Sequence, residues 1–293
     1  MRRYVVDHGS RCRRRGSRWH DGRVVDRVET SDVEFAHELA SAADQVALRF
    51  AGGEVRYRSK ADGTPVSDAD LAAEEAMLAL LSRYRPADGV ISEERGAVGA
   101  SSERRWILDP IDGTAQFVVG GEEWGTHVAL EVAGEIVLGI ITRPTRQQRW
   151  WAARGHGAYT DTDRHPFAGS QPLATSVMPT LEGARIGLYR QTASRLPELL
   201  GGLGVEVAPH GASHIIDLIE GSIDGIVSER CGFLWDHAPA VVLTVEAGGR
   251  FCDPDGGVRA DLQGGIYSNA ELHDHLWSVV TDGGVELTNR ISS

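Results

Sequence analysis

Trp106-Ile107-Leu108-Asp109-Pro110-Ile111-Asp112-Gly113-Thr114 decides how this chain is to be read. Three apolar residues run into an acidic turn, the pattern of a buried strand that ends at a site. Asp109 and Asp112 leave the strand end three residues apart, with Pro110 stiffening the turn between them. Gly113 lets the backbone approach a ligand closely, and Thr114 adds a hydroxyl. Two carboxylates, a carbonyl and a hydroxyl form an all-oxygen donor set, which suits Mg²⁺ or Mn²⁺ better than zinc. The bland alternative is an ordinary Asp-rich turn with capping carboxylates.

Two other stretches carry acids in similar settings. Upstream, Ile91-Ser92-Glu93-Glu94 is a short apolar run that ends in paired glutamates. Downstream, Glu229 precedes Leu234-Trp235-Asp236-His237-Ala238-Pro239, which opens an apolar helix stopped by Gly248-Gly249. In order and spacing, the pair Glu93-Glu94, the run Asp109–Thr114 and Trp235-Asp236 before Glu246-Ala247-Gly248-Gly249 resemble the inositol monophosphatase superfamily. This is a group of Mg²⁺-dependent, Li⁺-sensitive phosphomonoesterases. The resemblance spans roughly residues 33 to 282 and implies a mixed α/β fold, the five-layer αβαβα sandwich of that family.

Carried over position by position, the resemblance makes Glu93, Asp109 and the Ile111 carbonyl ligands of a first metal. Asp109, Asp112 and Asp236 become ligands of a second, and Asp68 is associated with a weaker third, giving two or three Mg²⁺ per site with Mn²⁺ possible. Glu93 and Thr114, the latter paired with Asp112, match the groups that orient the attacking water, and Glu94 supports them from behind. Gly113 and Thr114 would offer backbone N–H groups to phosphate at a helix N-terminus. Gly211, Ala212, Ser213 and Glu229 stand where the family contacts the alcohol portion of its substrate. Lys60 falls in the family's mobile metal-site loop, and it is also the only lysine in a chain that otherwise uses arginine. Either lysine is kept where a compact ammonium is needed and a planar guanidinium would not serve, or it survives there by chance. Two positions depart from the family: Ser92 replaces the usual glycine, and Gln116 replaces asparagine after Ala115.

At 293 residues the chain is long enough for a substantial core. Net charge is −12, but the first thirty residues carry nine arginines against four acids, a net of +5 that leaves −17 on the remainder. An acidic body argues against nucleic acid as a partner, though bound cations would reverse the field for an anionic substrate. Cys12, Cys231 and Cys252 are too few and too scattered for a disulfide framework or zinc site, and a cytoplasmic setting is expected. No apolar run is long enough for a membrane span, and no secretion signal is evident.

Residues 1–31, with Arg13-Arg14-Arg15, read as a basic, disordered extension. Residues 32–180 form an N-terminal α+β half that holds the metal site, and 181–285 an α/β half that completes it. From Asp32, Phe35, Leu39, Ala42, Val46 and Phe50 mark a helix ended by Gly52-Gly53. A second helix is expected over Ala69–Tyr84, with Leu71, Met77, Leu78 and Leu81 inward and Ser67 or Asp68 as its cap. Thr126–Glu131 and Ile136–Thr142 should form a hairpin around Ala133-Gly134. Trp150-Trp151 fits buried strand aromatics rather than a stacking platform. His237 suits helix packing, and His127, His156, His210 and His214 show no ligand spacing.

The resulting expectation is a Mg²⁺-dependent phosphatase of a small polyol or amino-alcohol phosphate, homodimeric as the family usually is. Histidinol-phosphatase, and hence histidine biosynthesis, is preferred because Arg149–Ala158 resembles the bacterial histidinol-phosphatases. Inositol-1-monophosphatase and a phosphatase of a specialised pathway are the alternatives. A non-catalytic metal- or phosphate-binding regulatory protein is the reading from a different class.

Overall fold

A computed structural model describes residues 28–61, 63–99, 102–161, 169–190, 194–209 and 213–287. Most of the basic extension, together with His210, Gly211 and Ala212, lies outside the described residues. The first helix, α1 (Thr30–Phe50), starts within the expected extension, and the Glu29 N–H donates to Asp32 Oδ2 at its first turn. Phe35 and Leu39 are buried as the periodicity requires, whereas Ala42, Val46 and Phe50 are only partly covered. Ala36, Ala40, Ala43 and Ala47 take their place, so the helix docks through small side chains that a hydropathy pattern underweights.

The hairpin β1 (Tyr57–Ser59) and β2 (Pro65–Ser67) carries Lys60 near its tip and feeds α2 (Asp68–Tyr84). Ser67 caps α2, its hydroxyl accepting from the Ala69 N–H at 3.1 Å while Asp70 accepts from the Ser67 N–H at 2.8 Å. Then follow β3 (Gly89–Ser92), β4 (Gly96–Val98), β5 (Arg104–Asp112), α3 (Thr114–Val118), β6 (Gly125–Val132), β7 (Glu135–Arg143), β8 (Gln148–Ala153), β9 (Gly157–Asp161) and β10 (Gln171–Pro172). The expected hairpin is β6–β7, turned by Ala133 and Gly134 with φ of 52° and 79°. The second half contains β11 (Arg185–Tyr189), α4 (Leu196–Gly201), β12 (Glu206–Val207), α5 (His214–Ile219), β13 (Gly225–Ser228), α6 (Leu234–Glu246), β14 (Gly249–Cys252), β15 (Gly265–Asn269) and α7 (His273–Asp282).

One sheet has the order β10-β9-β8-β7-β6-β5-β3-β4 and the other β12-β11-β13-β15-β14. Three apolar clusters stack them into layers. Helices α1 and α2 cover one face of the large sheet through Trp106, Leu108, Leu130, Leu138 and Trp151. Helices α5 and α6 fill the space between the sheets, against Ile107, Ile141 and Trp150 on one side and Ile226, Phe251 and Tyr267 on the other. Helices α4 and α7 close the outer face of the small sheet. This is the five-layer αβαβα arrangement, and the alternation of strand side chains explains why adjacent Trp150 and Trp151 serve different layers. Both are buried, as strand aromatics are expected to be. Cys231 is a free thiol.

Candidate metal centre and active site

Strand β5 delivers the central acids through an interruption in its ladder with β6. Asp109 pairs with His127 but Asp112 pairs with Gly125, so one extra residue bulges from β5 between them. Pro110 has no N–H to give to that ladder, which makes the bulge its natural place. The Pro110 carbonyl instead accepts from Thr126 Oγ1 at 3.0 Å, and Asp44 on α1 receives both Thr126 Oγ1 and Thr142 Oγ1. The Ile111 N–H folds back onto Asp109 Oδ1 at 3.1 Å. Gly113, at φ 83°, then turns the chain into α3, where an added Cβ would lie 2.7 Å from the Glu123 carbonyl.

Helix α6 brings Asp236 to the same place from the middle layer, its Oδ2 accepting the Phe233 N–H at 2.7 Å. Asp109, Asp112, His127 and Asp236 each present a ligand atom, and these atoms lie within 4.8 Å of one another. Burial pushes the Asp109 carboxyl well up, and Glu93, Asp112 and Asp236 push it further. Burial, then Asp112, raises Asp236 to about 7. A buried cluster of mutually repelling carboxylates needs protons or a cation, and its donors are those a divalent ion prefers. The residues therefore fit such an ion, with Asp109, Asp112 and Asp236 as the oxygen donors.

Glu93 and Glu94, just past β3, are tied together by Lys60, whose Nζ donates to Glu93 Oε1 at 2.6 Å and Glu94 Oε1 at 2.7 Å. Burial opposes the Lys60 charge, but the two glutamates outweigh it and raise its pKa. Burial lifts Glu94 to about 7 despite that lysine. Glu93 is within hydrogen-bonding reach of Asp109. Lys60 thus holds the pair against the central acids.

Asp68 and Asp70, both at the start of α2, have different surroundings. Asp68 is exposed. Asp70 is fully buried, and Thr114 Oγ1 donates to Asp70 Oδ1 and the Ile111 carbonyl, both at 3.0 Å. The partner of Thr114 is therefore Asp70 rather than Asp112, and burial raises the Asp70 carboxyl. The signal that could have found Asp70 was the Ser67–Asp70 capping spacing, which buries the third residue of the helix and leaves Asp68 outside.

Glu229 follows β13, is buried, and its Oε2 has no hydrogen-bond partner among the described residues. Ser213 opens α5 and lines a cavity of about 130 Å³ with Arg143, Arg146, Trp150, Asp217 and Glu220. Arg143, at the end of β7, links this cavity to the acids, its Nη2 lying 3.6 Å from Asp112 Oδ2. Gln116 lies on the exposed side of α3, against Gly121. His237 is held by the Tyr267 hydroxyl and the Cys231 carbonyl, a packing role. His127, given no part by its spacing, sits in the acidic cluster.

Residues 29–283 match the model of the inositol monophosphatase family. The chain belongs to that family. It is accordingly a phosphatase, a hydrolase of phosphoric monoesters, and its family is typically metal-dependent. A Streptomyces griseus protein named glucose-1-phosphate thymidylyltransferase is 44% identical over 256 residues, covering 87% of this chain and 98% of that protein. The histidinol-phosphatase of Streptomyces coelicolor is 38% identical over 257 residues, covering 84% and 95%. Among solved structures, the extragenic suppressor protein suhB of Bartonella henselae superposes with a TM-score of 0.76 at 25% identity, covering 87% of this chain and all of that one. Among the described residues, no helix is long and apolar enough to cross a membrane.

Proposed function

We propose that this phosphatase hydrolyses the phosphate ester of a small amino alcohol or polyol, using two or three Mg²⁺ ions and water as nucleophile, with histidinol phosphate as the preferred substrate. The observation that carries the reaction is the Thr114–Asp70 hydrogen bond beside the Asp109, Asp112 and Asp236 carboxylates. Bound divalent ions would neutralise the ester's charge and acidify the attacking water. Glu93, Asp109 and the Ile111 carbonyl would hold one ion, and Asp109, Asp112 and Asp236 the second. Thr114 Oγ1 orients the water, and its bond to Asp70 gives the water's proton a path from Thr114 to a buried carboxylate. The N–H groups of Thr114 and Ala115 precede the first helical bond of α3, from Gln116 N–H to the Gly113 carbonyl, and suit the phosphate oxygens.

The alcohol would enter the cavity beyond Arg143. There Arg146 is paired with Glu123 and Arg143 faces Asp112, so that among the described residues Asp217 on α5 and Glu220 just past its end have no arginine or lysine partner, although Glu220 accepts from Trp150 Nε1. Two carboxylates on one wall favour an amine-bearing alcohol over a neutral polyol. The S. coelicolor relative, a histidinol-phosphatase, supports the same choice. A homodimer, sensitivity to Li⁺ and a cytoplasmic location complete the reading. Light scattering at the monomer mass would remove the first of these.

Phosphate release is measured with and without Mg²⁺ from histidinol phosphate, inositol 1-phosphate, glycerol 2-phosphate and adenosine bisphosphate. Mg²⁺-dependent preference for histidinol phosphate is expected, and preference for inositol phosphate would move the substrate to the polyols. Asp112→Asn should abolish release while the circular dichroism spectrum is unchanged; retained turnover would remove Asp112 from the mechanism. A second reading, nucleotidyl transfer, is favoured only by the name of the S. griseus relative. Pyrophosphate formation from glucose 1-phosphate and thymidine triphosphate would support it.

A further inference from the structure

His127 has no task in the reaction above, yet it stands in the middle of the acids. It lies directly across from Asp109 in the β5–β6 ladder, so their side chains share a face of the sheet. Its Nε2 is 3.4 Å from Asp112 Oδ2, and a ring nitrogen lies within 4.8 Å of ligand oxygens from Asp109, Asp112 and Asp236. The residue is 7% exposed, and among the described residues neither ring nitrogen finds a hydrogen-bond partner of good geometry. The Asp112 contact is longer than a normal hydrogen bond. A buried imidazole left in this state is costly unless something else engages it. His237, the histidine next to Asp236, has partners at both nitrogens and no such vacancy of bonding. Arg143 also faces Asp112, but a guanidinium carries only donors and cannot ligate a cation.

We propose that His127 supplies a nitrogen ligand to the divalent ion held by Asp109, Asp112 and Asp236, and thereby shifts the site's preference from Mg²⁺ towards Mn²⁺ and its transition-metal neighbours. Oxygen-only sites suit Mg²⁺, whereas an imidazole ligand adds affinity for first-row transition ions and little for a hard, strongly hydrated one. The backbone carbonyl of Trp235 also lies against the ring. Metal-bound histidines commonly have their second nitrogen oriented by such a carbonyl. The inference rests on the metal-dependent reading of the site but not on which ester is cleaved.

The test is electron spin-echo spectroscopy of the full chain loaded with Mn²⁺, with calorimetric titration of Mn²⁺ and Mg²⁺ into the chelator-treated protein. Wild type should show nitrogen modulation of a bound imidazole, altered on labelling with ¹⁵N-histidine and lost in His127→Leu. The same substitution should weaken Mn²⁺ binding by at least about tenfold and Mg²⁺ binding by less than about threefold. Absence of nitrogen modulation in wild type, or its persistence in His127→Leu, would overturn the assignment. Circular dichroism in chelator checks that His127→Leu folds; if it does not, the ¹⁵N-histidine comparison in wild type decides alone. Phosphate release measured on the same samples separates the two readings. Nitrogen ligation without release from any ester would sink the proposed reaction and leave His127 as a ligand.

Discussion

Asp70 has both carboxylate oxygens engaged from different directions. Oδ2 takes the Ser67 N–H and, at 2.5 Å, the Ser67 hydroxyl, while Oδ1 takes the Thr114 hydroxyl. A carboxylate so fixed can hold Thr114 in one rotamer and receive a proton from it; Asp68, exposed two residues earlier, can do neither. Asp70→Asn should therefore lower kcat for Mg²⁺-dependent phosphate release by about 10²–10⁴-fold, the range of a lost general base. Asp68→Asn should leave kcat within about twofold of wild type, as expected for a surface change. Equal losses in the two variants would mean that Asp70 has no role beyond that of an acid at the start of α2. Asp217 makes a separate case at the alcohol side. If it meets an amine, Asp217→Asn should raise KM about tenfold or more for histidinol phosphate, the worth of a hydrogen bond to a charged group, and leave KM for glycerol 2-phosphate nearly unchanged. A uniform rise for both esters would mean that Asp217 shapes the cavity without recognising charge.

At the scale of elements, α6 ties the metal site to the packing of the middle layer. Its N-terminus carries Asp236, and its body lies so close to β7 that a Cβ on Gly139 would sit 2.6 Å from Val242 Cγ1 and 2.7 Å from Pro239 Cα. The second contact is backbone, so relief requires the helix to move. Gly139→Ala should cost about 1–3 kcal/mol, read as a lower denaturant midpoint. Mg²⁺ affinity should fall with it, because the shift carries Asp236 away from Asp109 and Asp112. Full Mg²⁺ affinity in a destabilised Gly139→Ala protein would uncouple the helix position from the site. Gly139 also marks where the sequence stops being legible. The acidic strand end at Asp109–Asp112, the β6–β7 hairpin and α6 could all be read from local pattern, since their signals lie within a few residues. The docking face of α1 was misjudged because alanines have little hydropathy. His127 and Asp44 were passed over because their partners are set by strand register and by α1, more than ten residues away in sequence. Asp70 was not singled out, because its burial follows from its bonds to the Ser67 cap and to Thr114, the second of which lies 44 residues away in sequence.

The whole molecule stores two opposed sets of buried titratable groups, and their signs predict how stability responds to pH. In the acid set, burial raises Asp236 and Glu94 to about 7 and lifts Asp109 as well. Between their unfolded values near 4 and pH 7, the metal-free fold holds protons that the unfolded chain has released, so stability falls as pH rises through that window. In the imidazole set, burial holds His37 and His273 at about 3 and His237 at about 4. Below the unfolded value near 6.5 the unfolded chain takes up protons that these rings refuse, so stability is lost as pH falls. Each group contributes at most ~1.4 kcal/mol per pH unit, and the two trends largely oppose one another in the metal-free protein between pH 5 and 6.5. Mg²⁺ bound as proposed would replace the protons of Asp109 and Asp236 and leave these three imidazoles untouched. The stabilisation it brings should therefore be small at pH 5.5, where protons compete for Asp236, and largest at pH 8. The loaded protein should lose Tm steadily below pH 6.5, with the imidazole trend no longer opposed. Thermal melts with and without Mg²⁺ at pH 5.5, 6.5 and 8 read both trends. An Mg²⁺ increment in Tm that is the same at all three pH values would mean that the cation is not bound by the carboxylates that burial has raised.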